Sequence, residues 1–148
     1  MAGDLPRAVL FACTQNVIRS PMAAAIMKHF YGHLVYVASA GLKPGEADPF
    51  LTVVLDEIGI GLGKHRPHTF AELEDASFDM AISLSPEAHH WALELTRTTA
   101  IATEYWPTMD PSATSGSREQ ILDSYRAVRD GLVARIRKRF GALGARGV

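Results

Sequence analysis

The chain has 148 residues, 47% apolar and 21% charged, with 15 basic residues against 16 acidic ones for a net charge of −1. That suffices for the core of one compact domain, 1–148, and it argues against both a globally basic nucleic-acid binder and an acidic solvating chain. A single cysteine excludes an intramolecular disulfide framework, residues 1–7 lack a signal-peptide pattern, and no apolar run approaches the ~18 residues needed to span a bilayer, so the sequence predicts a cytoplasmic protein.

In chain order, Arg7 to Cys13 is a short apolar run that stops at a polar stretch, as expected of a strand buried on both faces. Ser20 and Pro21 predict a helix start, serine as the cap and proline at the first helical position, and Met22, Ile26 and Phe30 carry the helix to Gly32. Leu34 to Ala38 is a second predicted strand, broken by Gly41, Pro44 and Gly45. Leu51, Val54, Leu55 and Ile58 share one helix face until Gly59, Gly61 and Gly63 end it. A short acidic helix, Ala71 to Ala76, leads to a third strand, Phe78 to Leu84. Pro86 starts a helix in which Ala88, Trp91, Ala92 and Leu95 repeat the apolar spacing, with Trp91 expected in the core. Thr99 to Tyr105 is the fourth strand. After a loop rich in Pro, Ser and Gly, Ile121, Tyr125, Val128, Leu132, Ile136 and Phe140 line a long last helix.

Alternating strands and helices predict a single α/β domain, its sheet mostly parallel with helices on both faces. The arginine-rich stretch from Arg126 to Arg146 fits the solvated face of the last helix better than a nucleic-acid contact.

Ligands of open α/β sheets bind beyond the carboxyl ends of the strands. There the sequence places Cys13, then Thr14, Gln15, Asn16, Val17, Ile18 and Arg19, just ahead of a helix. Unpaired amides and the helix dipole at that point favour a thiolate and can nest the oxygens of a phosphate. The guanidinium of Arg19 can bind two phosphate oxygens at once and stabilise the charge that spreads over them during transfer. Strand, C-x-x-x-x-x-R-S-P and helix together point to phosphoryl chemistry. His65-Arg-Pro-His68 and His89-His90 lack a supporting third ligand, so no metal site is predicted. Two Asp-Pro pairs, Asp48-Pro49 and Asp110-Pro111, read from spacing alone as turns, with Asp110 a candidate acid. Trp106 is placed either in the core or along the cleft.

The run from Val9 to Ala23, V-L-F-A-C-T-Q-N-V-I-R-S-P-M-A, resembles the opening of the low-molecular-weight protein tyrosine phosphatases, whose fold is shared by a group of arsenate reductases. Ser39-Ala-Gly41 after the second strand, Gly59-Ile60, His65-Arg66, Asp110-Pro111 and Tyr125-Arg-Ala-Val-Arg129 extend the similarity over nearly the whole chain. The resemblance implies a four-stranded parallel sheet with a phosphate-binding loop between the first strand and the first helix. It implies a phosphocysteine mechanism with neither metal nor cofactor. Cys13 would be the nucleophile, Asp110 the general acid and then base, and Arg19 the clamp on the phosphoryl oxygens. Thr14, Gln15, Asn16, Val17, Ile18 and Ser20 would form the phosphate site. Ser20 would also hydrogen-bond the sulfur, and Asn16, Ser39 and His65 would support the loop. The implied partner is a phosphorylated protein or small phosphoester, with neither nucleic acid nor membrane involved.

Three departures from the family pattern stand out. Gln15 replaces a glycine, Ile18 stands where members often carry a second cysteine, and Ser112-Ala113-Thr114 replaces the aromatic residues that follow Asp-Pro in phosphotyrosine-specific members. Three functions follow as candidates. A phosphomonoesterase of the protein tyrosine phosphatase type leads. Arsenate reduction with an external thiol is the second, because one cysteine cannot run a relay among several. A non-catalytic module binding phosphate or phosphoproteins is the third.

Overall fold

The computed structural model describes residues 5–63, 65–73 and 77–141. Four strands, β1 (Ala8–Cys13), β2 (Tyr36–Gly41), β3 (Met80–Ser83) and β4 (Ala102–Tyr105), pair in parallel in the order β2-β1-β3-β4. Four helices accompany them: α1 (Arg19–Tyr31), α2 (Pro49–Asp56), α3 (Pro86–Leu95) and α4 (Arg118–Phe140). This is the predicted single α/β domain. No helix among the described residues is long and apolar enough to cross a membrane.

β1 occupies the middle of the sheet, and all six of its residues are buried. Successive side chains of a strand point to opposite faces, and here that alternation divides the core. Val9, Phe11 and Cys13 join the larger cluster with Met22 and Ile26 of α1, Val54 of α2 and Ile136 of α4. Ala8 and Leu10 join a smaller cluster with Ala40 and Phe78, against which Phe70 and Trp91 pack. Trp91, expected in the core, is thus only half-buried at the rim of the smaller cluster. Cys13 leaves the sheet on the α1 side, at the carboxyl end of the central strand.

Several element ends differ from expectation because hydrogen-bond geometry, not apolar content, decides them. The amides of Leu34 and Val35 turn back to the Tyr31 carbonyl, so β2 starts at Tyr36 and runs on through Ser39-Ala-Gly41 in register with Phe11 to Cys13. The amide of Thr99 bonds to Leu95, which shortens β4 to Ala102–Tyr105. Ile58 lies past the end of α2 and is exposed. In place of the acidic helix over 71–76 there is one 3-10 turn, Phe70–Glu72, closed by reciprocal Thr69 and Glu72 bonds; positions 74–76 lie outside the described residues. Ser20 is not a cap: Ile18 holds that position without a side-chain bond, and Ser20 lies inside the first turn of α1. Asp48 caps α2, accepting from the Phe50 amide, a contact that typically stabilises a helix by about 1 kcal/mol.

Candidate active site

The loop from Thr14 to Ile18 joins the end of β1 to the start of α1. Asn16 is its hub. It is fully buried and adopts φ +59°, a left-handed conformation that costs most residues about 1–2 kcal/mol and asparagine less. Four contacts hold it there. Its Oδ1 accepts from the His68 amide at 3.1 Å, which fixes which end of the amide is nitrogen. Its two Nδ2 hydrogens then go to Ser20 Oγ at 2.8 Å and Ser39 Oγ at 2.9 Å. Its carbonyl lies 3.2 Å from His65 Nε2. Burial holds the His65 imidazole below the usual histidine range although that carbonyl pulls the other way, so the neutral ring donates through Nε2–H.

Ser20 receives the Asn16 bond at its oxygen, which leaves its own hydroxyl hydrogen free to point at Cys13. The Cys13 Sγ to Ser20 Oγ distance is 2.9 Å, with both groups buried. Asn16 therefore orients the serine, and the serine faces the sulfur. Among the described residues the amides of Thr14, Gln15, Asn16, Val17 and Ile18 donate to no carbonyl or side chain. Such a run of free amides next to a helix N-terminus is an anion-binding geometry.

Gln15 settles into this loop without strain, since Asn16 is the one non-glycine with positive φ among the described residues. Its side chain reaches the Pro44 carbonyl at 3.5 Å. The strict requirement for glycine falls instead on Gly41. A Cβ there would meet the Gln15 carbonyl carbon at 2.6 Å and the Asn16 nitrogen at 2.7 Å, so β2 can back the loop only with glycine at its end.

The opposite wall comes from the segment after β4. Arg19 Nη1 donates to the Thr108 carbonyl at 3.0 Å, and its Nη2 lies 4.0 Å from Asp110 Oδ2. Asp110 Oδ1 accepts from the Ser112 amide and hydroxyl at 3.0 and 2.7 Å, which caps the turn Pro111–Ala113 and leaves Oδ2 toward the arginine. Arg19 is mostly buried and Asp110 is 46% exposed, so the carboxyl reaches solvent while the guanidinium is anchored.

Cys13, Arg19 and Asp110 line one cleft of about 560 Å³. Thr14, Gln15, Val17 and Ile18 line it too, whereas the side chains of Asn16 and Ser20 are buried beneath it and those of Ser39 and His65 brace the loop from behind. Among the described residues no aromatic side chain lines the cleft. Trp106 is core: it is 2% exposed, with its ring 6.1 Å from Phe11.

Three participants escaped the sequence. His68 supports the loop twice, through its amide on Asn16 and its Nε2 on the Ser39 carbonyl. Glu87 enters from α3 and accepts from Thr14 Oγ1 at 3.1 Å; hydrogen bonds from its own amide and from Thr14 hold its carboxyl below the usual range. Asp48 lines the same cleft as Asp110, but both its oxygens are engaged, by the Phe50 amide and the Tyr125 hydroxyl. The sequence drew notice to two of these residues without their roles, His68 in a motif rejected as a metal site and Asp48 in a pair read as a turn. Among the described residues no cluster of three histidine, cysteine or acidic side chains could hold a metal.

A sequence profile of the family described as low molecular weight phosphotyrosine protein phosphatase matches residues 8–146. The chain is 33% identical over 135 residues to the low molecular weight protein-tyrosine-phosphatase of Streptomyces coelicolor, covering 83% of this chain and 80% of that protein. It is 28% identical over 131 residues to the arsenate reductase of Shouchella clausii, covering 88% and 92% respectively. Its fold superposes on the tyrosine phosphatase AmsI of Erwinia amylovora with a TM-score of 0.74 over 93% of each chain, at 22% identity.

Proposed function

We propose that this chain, which belongs to the low molecular weight phosphotyrosine protein phosphatase family, is a phosphomonoesterase that works through a phosphocysteine on Cys13. What supports this most is the convergence of Cys13 and Arg19, at the two ends of the loop after β1, with Asp110 from the segment after β4 on one cleft. In the first step the Cys13 thiolate attacks phosphorus in line. An S–P bond forms, the P–O bond to the leaving group breaks, and Asp110 gives its proton to the departing oxygen. In the second step water attacks the phosphocysteine, Asp110 takes the water's proton, and the S–P bond breaks to release inorganic phosphate. The Ser20 hydroxyl, 2.9 Å from the sulfur, stabilises the thiolate as it leaves. Arg19 and the free loop amides hold the equatorial oxygens in both transition states.

Arsenate fits the same cradle by size and charge. Its reduction here would need an external thiol to supply the remaining electrons, because Cys13 is the single cysteine. One enzyme preparation assayed with an aryl phosphate, a phosphotyrosine peptide, and arsenate plus a small thiol separates the chemistries. Phosphate release from the first two with no arsenite formation supports the phosphatase. Arsenite formation without phosphate release overturns it, and oxyanion binding without turnover of any substrate would leave a binding module.

A further inference from the structure

Glu87 lines a second cavity as well as the catalytic cleft. This cavity, about 750 Å³, is also bounded by Gly41, Leu42, Phe70, His90 and Trp91. Its walls are largely apolar, and Phe70 and Trp91 meet edge to face with centroids 4.6 Å apart. The partition between the two spaces is anchored on the residue that follows the nucleophile. The Leu42 amide donates to the Thr14 carbonyl at 2.9 Å, and Thr14 Oγ1 donates to Glu87 at 3.1 Å. A phosphoester seated over Cys13 therefore finds no aromatic grip inside the cleft, while an aromatic surface waits one side chain away.

We infer that this cavity receives the apolar side chain, aromatic or branched aliphatic, of a residue neighbouring the phosphorylated one in a peptide substrate. This rests on the phosphatase reading of the cleft and names its substrate class. Adjacent residues of an extended peptide are about 3.3–3.6 Å apart along the chain, and the two spaces share Glu87, so a side chain flanking the phosphorylated residue is placed to enter the second one. The volume of about 750 Å³ falls in the usual range of ligand sites. The ionised Glu87 on the partition would repel an acidic neighbour and so sharpens the preference.

The test compares kcat/KM for two phosphotyrosine peptides, one flanked by leucine or phenylalanine and one by glycine. Partial burial of one such side chain predicts an advantage of about tenfold for the apolar peptide, mostly in KM. Trp91→Ala should bring the ratio toward one. Ala71, exposed, also lines the cavity; Ala71→Trp, which fills the space and removes nothing from the core, should do the same and guards against misfolding of the first variant. A ratio near one in the wild type, or a ratio that both variants leave intact, overturns the proposal. A ratio near one together with concentration-dependent dimerisation would assign the cavity to a second copy instead. Hydrolysis of para-nitrophenyl phosphate checks the phosphatase reading separately. If that activity is absent, fluorescence anisotropy of the same two peptides on the Cys13→Ser protein still decides whether the cavity selects apolar flanks.

Discussion

Tyr125 on α4 donates its hydroxyl to the carboxylate of Asp48, the residue that caps α2 and lines the Cys13 cleft 77 positions earlier in the chain. Burial, and then this bond, push the tyrosine pKa well above its ordinary value. The folded state thus favours the neutral phenol, and this contribution, present at neutral pH, is lost only as the solution becomes strongly alkaline. Tyr125→Phe removes a hydrogen bond to a charged acceptor and should cost about 1.5–3 kcal/mol in denaturant unfolding. A change smaller than the error of the midpoint would mean that α2 is held by other contacts.

Cys13→Ser should abolish turnover and still bind phosphate or vanadate, because the proposed anion site consists of loop amides and Arg19. Isothermal titration with vanadate checks the binding and a phosphate-release assay the turnover. Appreciable activity in this variant would sink the phosphocysteine mechanism. Arg19→Lys should also lose turnover, since an ammonium cannot grip two oxygens in one plane or replace the planar contact with the Thr108 carbonyl.

The two Asp-Pro pairs share the cleft but not their hydrogen bonding. Among the described residues Asp110 Oδ2 accepts no hydrogen bond and lies 4.0 Å from Arg19 Nη2, whereas Asp48 has both oxygens occupied. Asp110→Asn should slow hydrolysis of alkyl phosphates by roughly 10²–10⁴-fold, as loss of a general acid does, and slow an activated aryl phosphate much less. Asp48→Asn, which preserves the cap, should change rates little. A Brønsted plot of rate against leaving-group pKa for each variant distinguishes them, and the reverse order would reassign the acid.

His65 supplies a pH dependence. Its burial lowers the folded-state pKa below the ordinary 6.5, so the unfolded chain binds this proton first on acidification. The stabilising contribution is present above the unfolded value and lost as pH falls through the folded one. Wild-type urea midpoints should therefore drop as pH falls below that ordinary value, and His65→Gln, which keeps a donor for the Asn16 carbonyl, should flatten that drop. Identical pH profiles for both proteins would remove His65 from the account.

Ser112 lines the cleft wall that bears Asp110, and no aromatic side chain among the described residues completes it. Ser112→Tyr should lower KM for aryl phosphates by up to about tenfold, with little change for alkyl ones. Equal effects on both classes would indicate a change in loop geometry, not in stacking.

The sequence by itself determined the order of strands and helices, the position of Cys13 at a strand's carboxyl end, and the clustering of candidate chemistry around one loop. These are legible because apolar periodicity and the C-x-x-x-x-x-R-S-P spacing act over a few neighbouring residues. It misplaced Ser20 as a cap, since serine ahead of proline looks the same whether its hydroxyl serves its own helix or, as here, the sulfur seven residues back. The bracing of Asn16 by Ser39, His65 and His68, the need for glycine at position 41 and the entry of Glu87 from α3 were decided only by tertiary structure. So was the division between two similar Asp-Pro pairs, one saturated by Tyr125 and one left toward Arg19. The Asp48 carboxylate finds its Tyr125 partner 77 positions away in this fold, and no local pattern encodes which long-range donor arrives first.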